Sequence, residues 1–257
     1  KDIVKPFFEW YDYDNVKKDY EWICLKCNNI FFDNIDNGSM PRCLNCFPKT
    51  IHSYNEIEIG NFIKNLGFEI KKNDRNLIKP YELDILIPSK NVAIEYCGLY
   101  WHSSKPKNYH FDKWKWCNEK GYELLTFFEN DYVNNKSIVE SIIKNKLNMT
   151  SNKVSARKLS VRNISKTEER LFLEQNHIQG YIPSKISYAL TFENKIYAVM
   201  TFRRARYNKK YEWELLRYST LLDHSVRGGF SKLLKHFVKE NNPENLISYV
   251  NLKHGNG

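Results

Sequence analysis

The spacing of hydrophobic positions changes several times between residues 53 and 147. In SYNEIEIGNFIKNL (53–66), Ile59, Phe62, Ile63 and Leu66 fall at helical intervals. Ser53 with Glu56 three residues on reads as a capping box, so a helix is predicted from near residue 53. Residues 68–72 read as a strand. YELDILIP (81–88) alternates and stops at a proline, and NVAIEY (91–96) is another short apolar run. Together they predict a hairpin turning at 88–90. A second helix fits 111–120, ended by Gly121, and YELLTFF (122–128) is a further strand. A last helix over 136–147 puts Ile138, Val139, Ile142, Ile143 and Leu147 on one side. The order α-β-β-β-α-β-α predicts a mixed sheet flanked by helices.

The pattern continues beyond residue 150. RKLSVRNIS, from 157, reads as a basic strand, 165–176 as a helix and HIQGYIPS (177–184) as a loop. ISYALTFENKIYAVMTFRRARY predicts a hairpin turning at 193–195, and YEWELLRYSTLL another strand. Gly228-Gly229 precede the helix FSKLLKHFVKEN, and LISYVNL is a final strand. The longest apolar stretches run only a few residues, so no membrane span is expected. The start, KDIVKPFFEW, lacks the apolar core of a signal peptide. A first residue other than Met and an end at GNG suit a fragment of a longer chain.

Four of the six cysteines fall in one window, as Cys24-x2-Cys27-x15-Cys43-x2-Cys46. Each C-x2-C pair makes a tight turn that aims two sulfurs at one point, which suits a tetrahedral four-thiolate zinc site. Two disulfides are the alternative; the absence of a secretion signal weighs against them. The intervening FFDNIDNGSMPR reads as a short strand and a turn at Asn37-Gly38. About fifty residues bury little core, so the metal would supply folding energy. Cys97 and Cys117 stand alone and read as buried thiols.

Charge divides the chain further. Of 257 residues, 42% are hydrophobic and 27% charged, enough to build packed cores. The formal net charge is +10. Residues 1–50 carry 7 basic and 8 acidic side chains, 51–150 carry 14 and 13, and 151–257 carry 19 and 9. The surplus lies in the last segment and suggests a polyanionic partner. Three modules are therefore predicted, at 1–50, 51–150 and 151–257. Arg203, Arg204, Arg206, Lys209 and Lys210, interleaved with Tyr207 and Tyr211, form a candidate phosphate-binding surface.

Two carboxylates lie on the predicted 81–96 hairpin: Asp84 after an apolar Leu, and Glu95 after an apolar Ile. A turn at 88–90 would bring them to neighbouring strand positions. With a helical Glu56 beside them they suit a hard cation such as Mg²⁺. His102, in GLYWHSS, is a candidate proton carrier.

ELDILIP, VAIEYCGLYWHSS, YHFDK and GYELLTFFEN, in that order, resemble the PD-(D/E)xK nuclease fold. They are most similar to its branch shared by very-short-patch-repair (Vsr) endonucleases and Vsr-like phage homing endonucleases. The likeness covers about residues 53–147. It implies a metal-binding role for Asp84, a catalytic role for His102, and for Glu56 a place facing the metal centre, with Glu58 the weaker candidate. It implies the second acidic position for Glu95 and further polar site groups at His110 and Asp112. Where the general motif has Glu-x-Lys, this chain has Glu95-Tyr96-Cys97. His102 or Lys113 would have to supply the missing lysine's charge.

The last segment resembles the GNAT acyltransferase fold, on VRGGFSKLL, where Arg227, Gly228, Gly229 and Ser231 partly meet the phosphate-loop pattern. A plain loop at a helix start is the other reading of the two glycines. Arg227 joins the candidate DNA-binding residues. The expected architecture is thus multidomain, α/β and α+β: a four-cysteine zinc ribbon, a Vsr-like nuclease core and a basic GNAT-like module. The expected function is a metal-dependent, site-specific DNA endonuclease of the phage homing type. It would use structural Zn²⁺ and catalytic Mg²⁺ and act on double-stranded DNA in the cytoplasm of a bacterial host. The alternatives are an acyltransferase or nucleotide-modifying enzyme working through the last module, and a non-catalytic zinc DNA-binding protein. The sequence leaves target site, strand count and oligomeric state open.

Overall fold

A computed structural model describes residues 3–36, 40–46, 54–98 and 108–254. It is a mixed α/β structure with several sheets, divided into compact units at 1–58 and 59–257. Among the described residues no helix is long and apolar enough to cross a membrane.

In the first unit β1 (Val4–Pro6), β2 (Tyr20–Cys24) and β3 (Ile30–Asp33) form an antiparallel sheet in that order. β2 alternates cleanly, burying Tyr20, Trp22 and Cys24. Its core is small: Val4, Tyr20 and Trp22, with Phe8 stacked on Tyr20 at 4.6 Å. The strand expected between the second and third cysteines is β3; the Asn37-Gly38 turn and Ser53 lie outside the described residues. α1 (Tyr54–Asn65) starts in this unit and runs into the next.

Among the described residues the second unit contains two larger sheets, each with helices on both faces, and a two-stranded pair. The first has the order β4 (Lys71–Asp74), β5 (Leu83–Ile87), β6 (Val92–Cys97) and β7 (Glu123–Phe128). Its first three strands are antiparallel, and β7 runs parallel to β6 after the crossover helix α2 (Tyr109–Glu119). The turn at Pro88–Lys90 is a single 3-10 turn closed by Asn91 in the left-handed region. α3 (Glu129–Lys146) follows β7 directly. Ile59 and Ile63 of α1 and Val139 and Ile143 of α3 pack on one face, against Ile85, Ile87, Ile94 and Phe127. On the other face Leu86, Ala93 and Leu124 pack under Cys117 of α2. The predicted order of these seven elements matches the observed one. α3 is longer than the 136–147 pattern suggests. Its first turns, capped by Asp131 accepting from the Phe128 amide, carry polar residues up to a kink at Asn135.

β8 (Asn152–Ser155) leads through a 3-10 turn to β9 (Ser160–Asn163) and α4 (Lys166–Asn176). Then come β10 (Ile186–Phe192), β11 (Lys195–Arg204), β12 (Trp213–Thr220), β13 (His224–Arg227), α5 (Gly229–Asn241) and β14 (Leu246–Ser248). The second sheet has the order β14-β12-β11-β10-β9, with β14 parallel to β12 and the rest antiparallel. Phe172 and Leu173 of α4 cover one face and Leu233 and Phe237 of α5 the other, with Phe237 stacked on Phe202 at 3.7 Å. β8 and β13 pair in parallel apart from both large sheets. The 157–165 strand is shorter than its sequence suggests, because residues 156–158 form the 3-10 turn. The final strand is shorter too. The chain leaves the sheet after Ser248, and Thr126 of β7 donates to the Lys253 carbonyl at 2.6 Å.

Candidate functional site

The four cysteines of the first unit place one sulfur each within 4.8 Å of all the others. Cys24 and Cys46 are 3.8 Å apart and Cys27 and Cys43 3.7 Å, far beyond a disulfide bond of about 2.05 Å. A tetrahedron with metal–sulfur bonds of about 2.3 Å has edges of about 3.8 Å. The donor set and its spacing therefore fit a four-thiolate metal site. The first knuckle is closed locally: Asn28, at φ 55°, donates to the Cys24 carbonyl at 2.8 Å.

The acidic pair sits where the β5–β6 ladder ends. The last paired residues are Ile85 and Ile94, and continuing that register puts Asp84 opposite Glu95. The two carboxylates take over the amides the ladder leaves. The Asp84 amide donates to Glu95 Oε1 at 3.2 Å, and the Tyr96 amide donates to Asp84 Oδ2 at 2.8 Å. Strand alternation turns both side chains toward α2, the side on which Leu86 and Ala93 are packed. From α2, Lys113 reaches Glu95 Oε2 at 2.5 Å, with both side chains almost fully buried. The Lys113 ammonium also lies 5.3 Å from the Tyr109 ring centre.

Burial comes first in setting the charge here, and the Asp84 carboxylate adds to it. Together they push Glu95 up to about 8, against the pull of Lys113. One ammonium cannot neutralise two carboxylates, of which Glu95 is buried and Asp84 half-buried. Burial lowers the Lys113 ammonium, but Glu95 more than offsets this and holds it above its ordinary value. Cys97, two residues beyond Glu95, is pushed up to about 12 by burial and then by the two carboxylates. It is a neutral thiol, and a cation beside the two carboxylates comes instead from α2, as Lys113. Asp84 and Glu95 offer hard oxygen donors whose repulsion a divalent cation would relieve, so the pair fits such a cation.

The remaining sequence candidates fall as follows. Glu56 is buried on the first turn of α1, and Glu58 is half-buried one position beyond Ile57. His102 lies outside the described residues. His110, on α2, puts Nδ1 3.9 Å from the Cys97 sulfur and packs beside the Phe128 ring. Asp112 is half-buried on α2, and no hydrogen bond ties its carboxylate to the pair among the described residues. Lys253, with no signal in the local sequence, comes within 4.0 Å of the Phe128 ring centre at the end of β7.

The five-cation cluster of the last segment divides. Arg203 is bound by buried Glu214, its cross-strand neighbour, through two hydrogen bonds of 3.1 Å. Arg204 pairs with Glu212 and lies 4.3 Å from the Trp213 ring centre. Arg206, Lys209 and Lys210 face solvent, with Tyr207 exposed beside them. Arg227 is exposed at the end of β13. The Gly228-Gly229 step has structural work. Gly228 adopts φ 77°, and a Cβ on Gly229 would come within 2.7 Å of the Tyr218 hydroxyl.

A mixed sheet carrying two carboxylates and a buried lysine under one helix defines a candidate cation-assisted site on an α/β scaffold. No family model and no curated protein matches the chain. Among solved structures it is similar to the catalytic domain of the homing endonuclease I-Bth0305I. The identity is 21%, over 37% of this chain and 94% of that one, with a TM-score of 0.31.

Proposed function

We propose that the chain is a metal-dependent, site-specific DNA endonuclease of the Vsr-like homing type. The observation that carries this reading is the juxtaposition of Asp84, Glu95 and Lys113 at the end of the β5–β6 ladder. A metal held by the two carboxylates, Mg²⁺ on this reading, would supply charge stabilisation at the scissile phosphate. Asp84, the more accessible of the two, orients the phosphate side of the site. Glu95 is locked by Lys113 and the Asp84 amide, so the pair is preorganised before substrate arrives. Lys113 maintains positive charge in a pocket that would otherwise repel a phosphodiester. His102 is assigned the proton transfer to or from the reacting oxygen, and Glu56 a supporting acidic role; both come from the sequence. His110 and Asp112 are assigned auxiliary polar roles on the same helix as Lys113.

The non-catalytic alternative rests on the missing lysine at Cys97; the buried Lys113 beside Glu95 supports the catalytic reading instead. The cysteine cluster is assigned structural Zn²⁺, and the surplus cations of 151–257, the Arg206–Lys210 surface among them, are assigned the grip on duplex DNA. A phage-encoded protein acting in a bacterial cytoplasm fits this reading.

The test is incubation of the purified full chain with a plasmid library and Mg²⁺, followed by mapping of the ends. Asp84→Asn should lower cleavage by about 10³-fold or more, the equivalent of several kcal/mol of charge stabilisation. Lys113→Met should lower it by about 10²-fold, as loss of one preorganised donor does. An Asp84→Asn protein cutting at the wild-type rate would sink the assignment.

A further inference from the structure

The two short parallel strands β8 and β13 end together, in register at Ser155 and Arg227. Their carboxyl ends open onto a cavity of about 1000 Å³. Ligands of open α/β sheets favour that position, outside the carboxyl ends of parallel strands. Four cationic side chains line it from four elements: Lys153 on β8, Arg157 on the 3-10 turn, Arg227 on β13 and Lys235 on α5. Among the described residues none of the four makes an ion pair or side-chain hydrogen bond with a carboxylate, and no acidic residue lines the cavity. A fifth cation, Lys232, is committed to structure. It donates to the Ala156 and Leu159 carbonyls at 2.9 and 2.5 Å, fixing the turn that carries Arg157 against α5.

Four like charges gathered around one concavity without a counter-ion repel one another, and an anion relieves that repulsion. The first turn of α5 lies at the same cavity, where the helix dipole favours negative charge as well. The walls contain no aromatic ring, and their apolar share comes from Val154 and Ala156. Such a surface has charge for phosphates and nothing on which a nucleobase could stack.

We infer that this cavity binds the phosphodiester backbone of duplex DNA, at a place separate from the Arg206–Lys210 surface. The inference rests on the DNA reading above and deepens it. It assigns a backbone-positioning role, so the contribution to affinity is independent of base sequence.

The test is binding of the full chain to a short fluorescent duplex, without divalent metal, over about 50 to 200 mM salt. The triple variant Arg157→Gln/Arg227→Gln/Lys235→Gln should bind more weakly. Its slope of log affinity against log salt should be shallower by about 2.7, from about 0.9 for each phosphate no longer neutralised. Arg157→Gln alone, a change at an exposed position, should remove about 0.9. Unchanged affinity and slope in both variants would overturn the inference, as would a wild-type protein that fails to bind duplex. Pyrophosphate and ADP form the second arm. If either bound through these residues while duplex binding stayed unchanged in the triple variant, the cavity would belong to a free nucleotide. Because the readout needs no cleavage, the two readings fail separately. A shallower slope in a protein that never cuts DNA leaves the cavity assigned and the nuclease refuted. Normal cutting with an unchanged slope does the reverse.

Discussion

Glu95 should make the protein less stable as pH rises, and the size of the effect can be worked from its surroundings. An ordinary glutamate titrates near 4.5, while in the folded chain burial and Asp84 push Glu95 up to about 8. Between those values the folded state holds a proton that the unfolded state has released. The stability from a neutral Glu95 is therefore complete below about 4.5 and is lost as pH rises through about 8. At about 1.4 kcal/mol per pH unit, the span corresponds to a ceiling of about 5 kcal/mol. Glu95→Gln keeps the shape and a hydrogen-bond acceptor for Lys113 but does not titrate. Urea unfolding of both proteins over about pH 5 to 9, without metal, isolates the contribution of this carboxyl. The stability of wild type minus variant should fall steadily as pH rises toward 8 and level off above it. Excess Mg²⁺ should flatten the wild-type slope, because a bound cation favours the ionised carboxylate. A difference that stays constant across the range would refute the reading that burial of Glu95 and the charge of Asp84 hold its proton in place.

Two further expectations concern stability elsewhere. Chelation, or Cys43→Ser, should release about one equivalent of metal and unfold the 1–58 unit, whose core is too small to stand alone; the readouts are metal analysis and Trp22 fluorescence, and an unchanged urea midpoint would contradict it. Gly229→Ala would force a Cβ to 2.7 Å from the Tyr218 hydroxyl and 2.9 Å from Val226 Cγ1. Such overpacking should cost about 1–3 kcal/mol and lower Tm by several degrees, and a Tm equal to wild type would show that the packing there yields freely.

Much of the fold was legible because local chemistry and tertiary packing agree. α4 is bounded by a true capping box, with the Ser165 hydroxyl and the Glu168 carboxylate serving each other's amides. The β10–β11 hairpin turns at Glu193 and Asn194, both in the left-handed region. The first turns of α3 and the strands β8 and β13 were not legible. The former carry polar residues without a helical stripe. The latter are four-residue strands that pair across some seventy residues of chain, so no local alternation marks them.

The same division holds at the candidate site. By itself the sequence determined the cysteine spacing, the hairpin that carries Asp84 and Glu95, and the concentration of positive charge in 151–257. Those are properties of short segments, and their spacing along the chain is their meaning. Only the tertiary structure decided which cation serves the acidic pair. Lys113 lies eighteen positions after Glu95 and reaches it because the α2 crossover lays that helix over the carboxylate face of the sheet. It also decided that Arg203 and Arg204 are already paired, while Lys153, Arg157, Arg227 and Lys235 converge with no acid among them. Charge counts along a sequence cannot separate a compensated cation from a free one. Coulomb energies depend on distance in space and on burial, and both are set by packing.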